Sequence, residues 1–177
     1  HGRRDRDVHR RREPDGLSLT LRAHNCSPPT HRQVGHRRRG SGAVVNAYDS
    51  PNGPVKLVAM ADLFPKRMAS SYANLTAKYG DRIDVPTERQ FIGFDAYRNA
   101  IDCLRPGDVA MLTGYAGFRP AQVEYAVERG IHVFMEKTFA SDVPGLRRII
   151  KAGEAADRKG VRIASGLMCR HAQSRMD

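Results

Sequence analysis

The sequence VKLVAMADLFPKRMASSYANLTAKYG, residues 55–80, begins with an apolar run and continues with apolar side chains three or four residues apart. The run 55–60, which ends before Asp62, predicts a buried strand. Pro65 suits the first turn of a helix, and Gly80 suits its end. The stretch therefore predicts one strand followed by one helix.

The same unit recurs along the chain. Further apolar runs predict strands at residues 91–94, 109–112, 132–135 and 161–164. The helices between them are expected to begin at Asp95, near Pro120, and at Ser141 or Asp142. Glycines are expected to end the last two of these helices, at Gly130 and Gly160. The fourth helix is expected to carry the apolar residues Leu146, Ile149 and Ile150.

Apolar strands that alternate with helices predict a parallel sheet covered on both faces. Right-handed connections then make the domain a doubly wound α/β fold of the Rossmann type. Its usual strand order is 3-2-1-4-5-6, so the first strand is central.

Residues 1–40 differ from the rest of the chain. They contain eleven Arg, no Lys and four acids, and they contribute most of the net charge of +11. No apolar period runs through them, so we expect a disordered Arg-rich tail over 1–38. The nucleotide-binding domain is then expected over 39–165, and 166–177 would begin a linker to a further domain.

The cysteines and the hydropathy limit the class of protein. Cys26, Cys103 and Cys169 lie far apart and form no CxxC pair, so no disulfide framework or metal site is expected. No run approaches the roughly 18 apolar residues of a membrane span. These features predict a cytoplasmic protein with no membrane partner.

Asp62 is the first candidate for chemistry. Ligands of doubly wound sheets lie beyond the carboxyl ends of the strands, and Asp62 ends one of them. It follows Gly40 at close to the spacing at which an acid binds the adenosine ribose. A carboxylate there favours NAD over NADP, although Lys66 and Arg67 weaken that preference. The alternative is that Asp62 only caps the next helix.

The glycine-rich turn that should precede Asp62 is half complete. Gly35 and Gly40 occupy the outer positions of a GxGxxG pattern, but Arg37 occupies the middle one, where the backbone must approach the pyrophosphate. No apolar strand leads into this turn. We therefore expect weak cofactor binding.

Two later turns also follow predicted strands. Residues 113–120, TGYAGFRP, place two glycines beside aromatic rings and would suit a nicotinamide or its ribose. An ordinary strand-to-helix turn explains them equally well. Lys137, in the sequence Glu136-Lys137-Thr138, could bind a substrate hydroxyl or assist proton transfer. The alternative is a solvated lysine paired with Glu136 or Asp142.

Five stretches together resemble the glucose-fructose oxidoreductase and inositol dehydrogenase family, often called Gfo/Idh/MocA. They are VKLVAMAD (55–62), GFDAY (93–97), GFRP (117–120), VFMEK (133–137) and GLMCRH (166–171), which occur in the family's order. The resemblance implies an N-terminal domain that binds NAD or NADP, and a larger α/β domain that supplies much of the sugar site.

The resemblance also implies roles for particular residues. Lys137 corresponds to the family's lysine near the reacting carbon, and Arg170 and His171 are expected close to the substrate. The expected cofactor-binding residues are Gly35, Gly40, Asp62, Thr113, Gly114, Tyr115, Phe118, Arg119 and Glu136.

The sequence departs from the family's pattern at Thr138, which replaces a proline, and at Arg37. It also stops at Asp177, before a substrate domain.

These features predict a fragment of an NAD(P)-dependent oxidoreductase acting on CH–OH groups of a sugar, polyol or related hydroxy compound. NAD is favoured, the fragment alone is expected to be inactive, and a homo-oligomer formed through the missing domain is compatible with this interpretation. Two alternatives are a nucleic-acid-binding protein that uses the basic arm, and a cofactor-binding domain without catalysis. The arm lacks the interleaved aromatic residues that favour nucleic acid.

The abrupt change in composition near Gly40 suggests that residues 1–38 arise from a reading-frame error. The first strand would then be missing or degraded. Under this hypothesis residues 1–30 should be irregular, with a gap in the sheet or a makeshift strand over 33–36.

Overall fold

The computed structural model of the chain describes residues 18–23, 39–49 and 55–167. Strands and helices alternate along these ranges. The strands are β1 (Ser18–Ala23), β2 (Val55–Asp62), β3 (Gln90–Ile92), β4 (Val109–Leu112), β5 (His132–Met135) and β6 (Ile163–Ser165). The helices are α1 (Arg39–Tyr48), α2 (Pro65–Tyr79), α3 (Ala96–Asp102), α4 (Arg119–Glu128) and α5 (Val143–Lys159). Short 3-10 turns occupy Gly80–Arg82 and Thr87–Arg89.

The strands form one sheet in the order β3-β2-β1-β4-β5-β6. The pairs β2–β3, β4–β5 and β5–β6 are parallel. This is the strand order of a doubly wound α/β sheet. The predicted fold class is therefore confirmed.

Strand β1 corrects the expectation of an irregular N-terminal segment. It lies between β2 and β4 and runs antiparallel to both, with Ser18 opposite Ala61 and Ala23 opposite Val55. The inner edges of β2 and β4 would otherwise leave buried backbone groups without partners. The sheet thus includes residues before the predicted domain start at 39, and its central position is filled by a reversed strand. The makeshift strand predicted over 33–36 falls outside the described residues.

The two faces of the sheet are covered by different helices. Successive side chains of a strand point to opposite faces. Ala110 and Leu112 of β4 pack with α3, α4 and α5, whereas Met111 packs with α1 and α2. Helices therefore cover both faces, as the apolar strands predicted.

Local signals fixed most element ends. Asp142 caps α5 by accepting a hydrogen bond from the Gly145 amide at 2.6 Å, and Gly160 ends α5 in a left-handed conformation. Asp95 precedes α3 but makes no side-chain cap bond. On α5, Ile149 is buried as expected, whereas Leu146 and Ile150 are exposed together with Val143.

Apart from β1, the basic arm over 1–38 lies outside the described residues, as do Cys26 and Cys169. Among the residues that are described, no helix combines the length and the apolar character needed to cross a bilayer.

Candidate functional site

The carboxyl ends of the parallel strands bring several predicted site residues to one edge of the sheet. Asp62 ends β2, Thr113 follows β4, and Glu136 follows β5. Backbone hydrogen bonds join these ends: the Gly93 amide donates to the Asp62 carbonyl at 3.1 Å, and the Glu136 amide donates to the Leu112 carbonyl at 3.1 Å. This edge is where doubly wound sheets bind their ligands.

A shallow cleft opens at this edge between the loops that follow β2, β3 and β4. Its lining includes two buried polar side chains, Asp62 and Gln122, and four aromatic ones, Phe94, Tyr97, Tyr115 and Phe118. Aromatic side chains beside a few buried polar groups are a common lining of small-molecule sites.

The aromatic rings form a connected wall. The ring centroids of Phe94 and Phe118 are 5.6 Å apart, and those of Tyr115 and Phe118 are 6.1 Å apart, both in edge-to-face arrangements. Phe94 is 72% exposed, and Tyr115 and Phe118 are also largely exposed. Large aromatic surface left open beside a cleft is available to a flat ligand.

Asp62 lies where both of the roles considered for it would place it. It lines the cleft, although only 2% of it is exposed. Its Oδ1 also accepts a hydrogen bond from the Phe64 amide at 2.9 Å, which supports the turn into α2. The neighbouring Arg67 lies over the Phe64 ring at 4.9 Å. The turn thus holds the acid at the edge of the cleft.

Arg119 is placed differently from an arginine that contacts a cofactor. It is 1% exposed, and its guanidinium donates hydrogen bonds to the carbonyls of Gly114 and Thr138. Burial lowers the pKa of Arg119, and the charge of Glu136 acts in the opposite direction. The side chain therefore joins the turn after β4 to the turn after β5.

Glu136 is the first residue of that second turn, directly after β5. It is buried, and a Cβ added to Gly166 would come within 3.0 Å of its carboxylate. The Gly166 amide donates to the Met135 carbonyl at 2.9 Å. A glycine at 166 thus lets the segment after β6 pass close to the acid.

Lys137 follows Glu136 and is exposed. The peptide bond between Lys137 and Thr138 is cis. Lys137 does not belong to the lining of the aromatic cleft. Tyr115 and Phe118 thus line the same cleft as Asp62, and Lys137 does not.

The remaining predicted site residues lie apart from the cleft or outside the described ranges. Gly40 is buried in the first turn of α1, and Thr113 is buried directly after β4. Gly35, Arg37, Arg170 and His171 fall outside the described residues. Within the described ranges, no group of three or more His, Cys, Asp or Glu side chains could hold a metal ion.

Sequence reasoning missed two residues of the cleft. Phe94 was assigned to a strand, but β3 ends at Ile92 and Phe94 follows a glycine with a φ of 119°. Gln122 lies four residues after Phe118, and this spacing places both on one face of α4. That spacing was the available signal for Gln122.

Solved structures share this fold. Myo-inositol 2-dehydrogenase from Lactobacillus plantarum is 21% identical with a TM-score of 0.55, over 77% of this chain and 34% of that one. Apo scyllo-inositol dehydrogenase from Lactobacillus casei is 21% identical with a TM-score of 0.53, over 79% of this chain and 37% of that one.

No protein-family model and no curated protein matches the chain. The chain spans about a third of the length of the two inositol dehydrogenases. The likeness shows that the chain shares its fold with about a third of each of these dehydrogenases.

Proposed function

We propose that the chain is the nicotinamide-dinucleotide-binding part of an oxidoreductase acting on the CH–OH group of a sugar, polyol or related compound. The observation that carries the proposal is the aromatic cleft at the carboxyl edge of the sheet, with Asp62 in its lining. Open rings suit a nucleoside base, and a carboxylate suits ribose hydroxyls.

The charge of the cleft supports NAD over NADP. Asp62 would repel a 2'-phosphate at the ribose position. Arg67, which sequence reasoning set against this preference, lies over the Phe64 ring. We therefore expect the chain to bind NAD more tightly than NADP.

The remaining proposed roles concern the reaction itself. When bound, the nicotinamide would supply or accept the hydride. Lys137 is proposed to bind the substrate hydroxyl and to assist its deprotonation. Arg170 and His171 are proposed to lie near the substrate. The chain spans a third of the inositol dehydrogenases, so we propose that the 177-residue chain alone has no turnover.

Calorimetric titration with NAD and NADP tests the binding proposal. Asp62→Asn keeps an oxygen acceptor for the Phe64 amide but removes the charge, so it should weaken NAD binding and reduce the preference over NADP. Asp84→Asn is the matched control, because Asp84 pairs with Arg89 outside the cleft. Absence of NAD binding, or equal effects of the two variants, contradicts the proposal.

Activity is a separate measurement. The 177-residue chain and its Lys137→Ala variant are each assayed for NAD-dependent oxidation of polyols and sugars, beginning with inositols. Turnover by the wild-type chain well above that of the variant would show that the chain alone is active, contrary to the proposal. Cofactor binding without turnover in any longer form of the protein would instead favour a non-catalytic domain.

A further inference from the structure

Gln122 carries a polar group that nothing in the described part of the protein satisfies. It lies in the second turn of α4, is 8% exposed, and belongs to the lining of the aromatic cleft. Its Oε1 has no hydrogen-bond partner among the described residues. Buried polar atoms are normally hydrogen-bonded, so an unsatisfied one at a cleft is a position that a ligand can complete.

The surroundings of this amide define the chemistry of that ligand. The backbone N–H of Gln122 donates to the Phe118 carbonyl at 3.3 Å, which places Gln122 one helical turn after Phe118. The rings of Phe94 and Phe118 contact edge to face, and Tyr97 belongs to the same lining. The lining therefore offers aromatic rings for stacking and the Gln122 side-chain amide for hydrogen bonding. A flat ring with hydrogen-bonding groups on its edge matches both.

The charge of the cleft indicates which part of the dinucleotide would bind there. The carboxylate of Asp62, in the same lining, repels phosphate but accepts hydrogen bonds from hydroxyl groups. Burial of the amide also makes any hydrogen bond formed there stronger than one at the surface. The neutral base and its ribose therefore fit this cleft, and the pyrophosphate does not.

We propose that Gln122 determines base specificity by pairing with the amino edge of adenine. A glutamine amide can accept from the 6-amino group and donate to N7 of the same base. Hypoxanthine carries a carbonyl at position 6 and cannot donate there, so the glutamine oxygen would face a second acceptor. The inference rests on the proposed function, because the base is taken to be that of the dinucleotide.

The test compares AMP with IMP as ligands of the 177-residue chain, since these differ at position 6 of the base. We expect AMP to bind about tenfold more tightly, which is the size of one hydrogen bond. Gln122→Met keeps the length of the side chain and removes its polar atoms, so the AMP-to-IMP ratio should fall to about one. NAD and nicotinamide hypoxanthine dinucleotide serve as a second pair of probes.

Gln90→Met is the matched control. Gln90 belongs to β3, and its side-chain amide donates to the Val85 carbonyl at 3.2 Å, outside the cleft. This variant should keep the tenfold ratio. The wild-type ratio is informative by itself if Gln122→Met does not fold.

The outcomes separate the inference from the proposed function. If neither AMP nor NAD binds the wild-type chain, both are wrong. If NAD and AMP bind but AMP and IMP do so equally, or if Gln122→Met keeps the wild-type ratio, the inference alone is wrong.

Discussion

The guanidinium of Arg119 donates a hydrogen bond to the backbone carbonyl of Thr138, nineteen residues further along the chain. A second bond to Gly114 makes this buried side chain a link between the ends of β4 and β5. Lys137 directly precedes Thr138, so the same link fixes the backbone beside the proposed substrate-binding lysine.

Loss of this link should be costly. Arg119→Met removes a buried charge near Glu136 and leaves two carbonyls without their donor, so we expect a loss of about 3–5 kcal/mol in the free energy of unfolding. Arg119→Lys should be intermediate, because one ammonium does not reproduce the planar fork of donors. Urea unfolding measures both.

Arg148→Met is the control for this prediction. Arg148 pairs with Glu124 between α5 and α4, where both side chains are exposed to solvent. Surface pairs contribute about 0–1 kcal/mol. A loss in Arg119→Met no larger than that in Arg148→Met would show that the buried link does not stabilise the fold.

Two glycines of α5 should respond to alanine with opposite signs. A Cβ on Gly145 would lie 2.8 Å from Asp142 Oδ1 and 3.1 Å from Pro120 Cγ, so Gly145→Ala should destabilise by about 1–3 kcal/mol. A Cβ on Gly153 would meet nothing within 4 Å, so Gly153→Ala should stabilise by about 0.4–1 kcal/mol. Thermal unfolding of the two variants compares them. Equal shifts in Tm would contradict the packing at Gly145.

Tyr48 links α1 to β2 through its hydroxyl. The hydroxyl accepts from the Leu57 amide at 2.9 Å and donates to the Arg82 carbonyl at 2.7 Å. Tyr48→Phe should therefore lower the free energy of unfolding by about 1–3 kcal/mol at neutral pH. Tyr72→Phe, on α2, makes the same chemical change as a control.

The same hydroxyl predicts a pH dependence. Burial raises the pKa of Tyr48 from 10.0 to about 12. Between these values the unfolded chain has lost the proton and the folded chain has kept it, so stability falls as pH rises. The contribution of about 2–3 kcal/mol is complete below pH 10 and lost through pH 12. Tyr48→Phe should show a shallower decline than wild type, and identical slopes would argue against this origin.

Strand β1 can be tested through its backbone. Thr20 pairs with Ala59 on one side and Ala110 on the other. Thr20→Pro removes a backbone donor from the centre of the sheet and should destabilise by at least about 1–3 kcal/mol. Thr20→Ala keeps the donor and is the control. Equal stability of the two variants would show that β1 does not hold the sheet together.

The helices and parallel strands from residue 55 onward could be predicted because their signals are local. Apolar runs mark β2, β4 and β5, and Gly160 marks the end of α5. β1 could not be predicted in this way, since the need for a strand there comes from β2 and β4, which lie far away in the sequence. The direction of its pairing has no local signal.

The residues of the site also differ in whether the local sequence could indicate them. Asp62 was a candidate because it follows an apolar run at a known spacing, and it lies in the lining of the cleft. The role of Arg119 depends on two carbonyls from different turns, and that of Gln122 on a cleft formed by three loops. Such relationships exist only in the folded chain.

The reversed strand also bears on the order of folding. Within the described residues, β2 and β4 do not pair directly, so β1 alone joins the β2–β3 half of the sheet to the β4–β6 half. Each half consists of parallel units that are neighbours in sequence, whereas β1 meets β4 only after a long loop has closed. Side chains also connect the halves, because Val58 of β2 and Leu112 of β4 lie in one core cluster, but the closure of one hydrogen-bonded sheet depends on the capture of six residues.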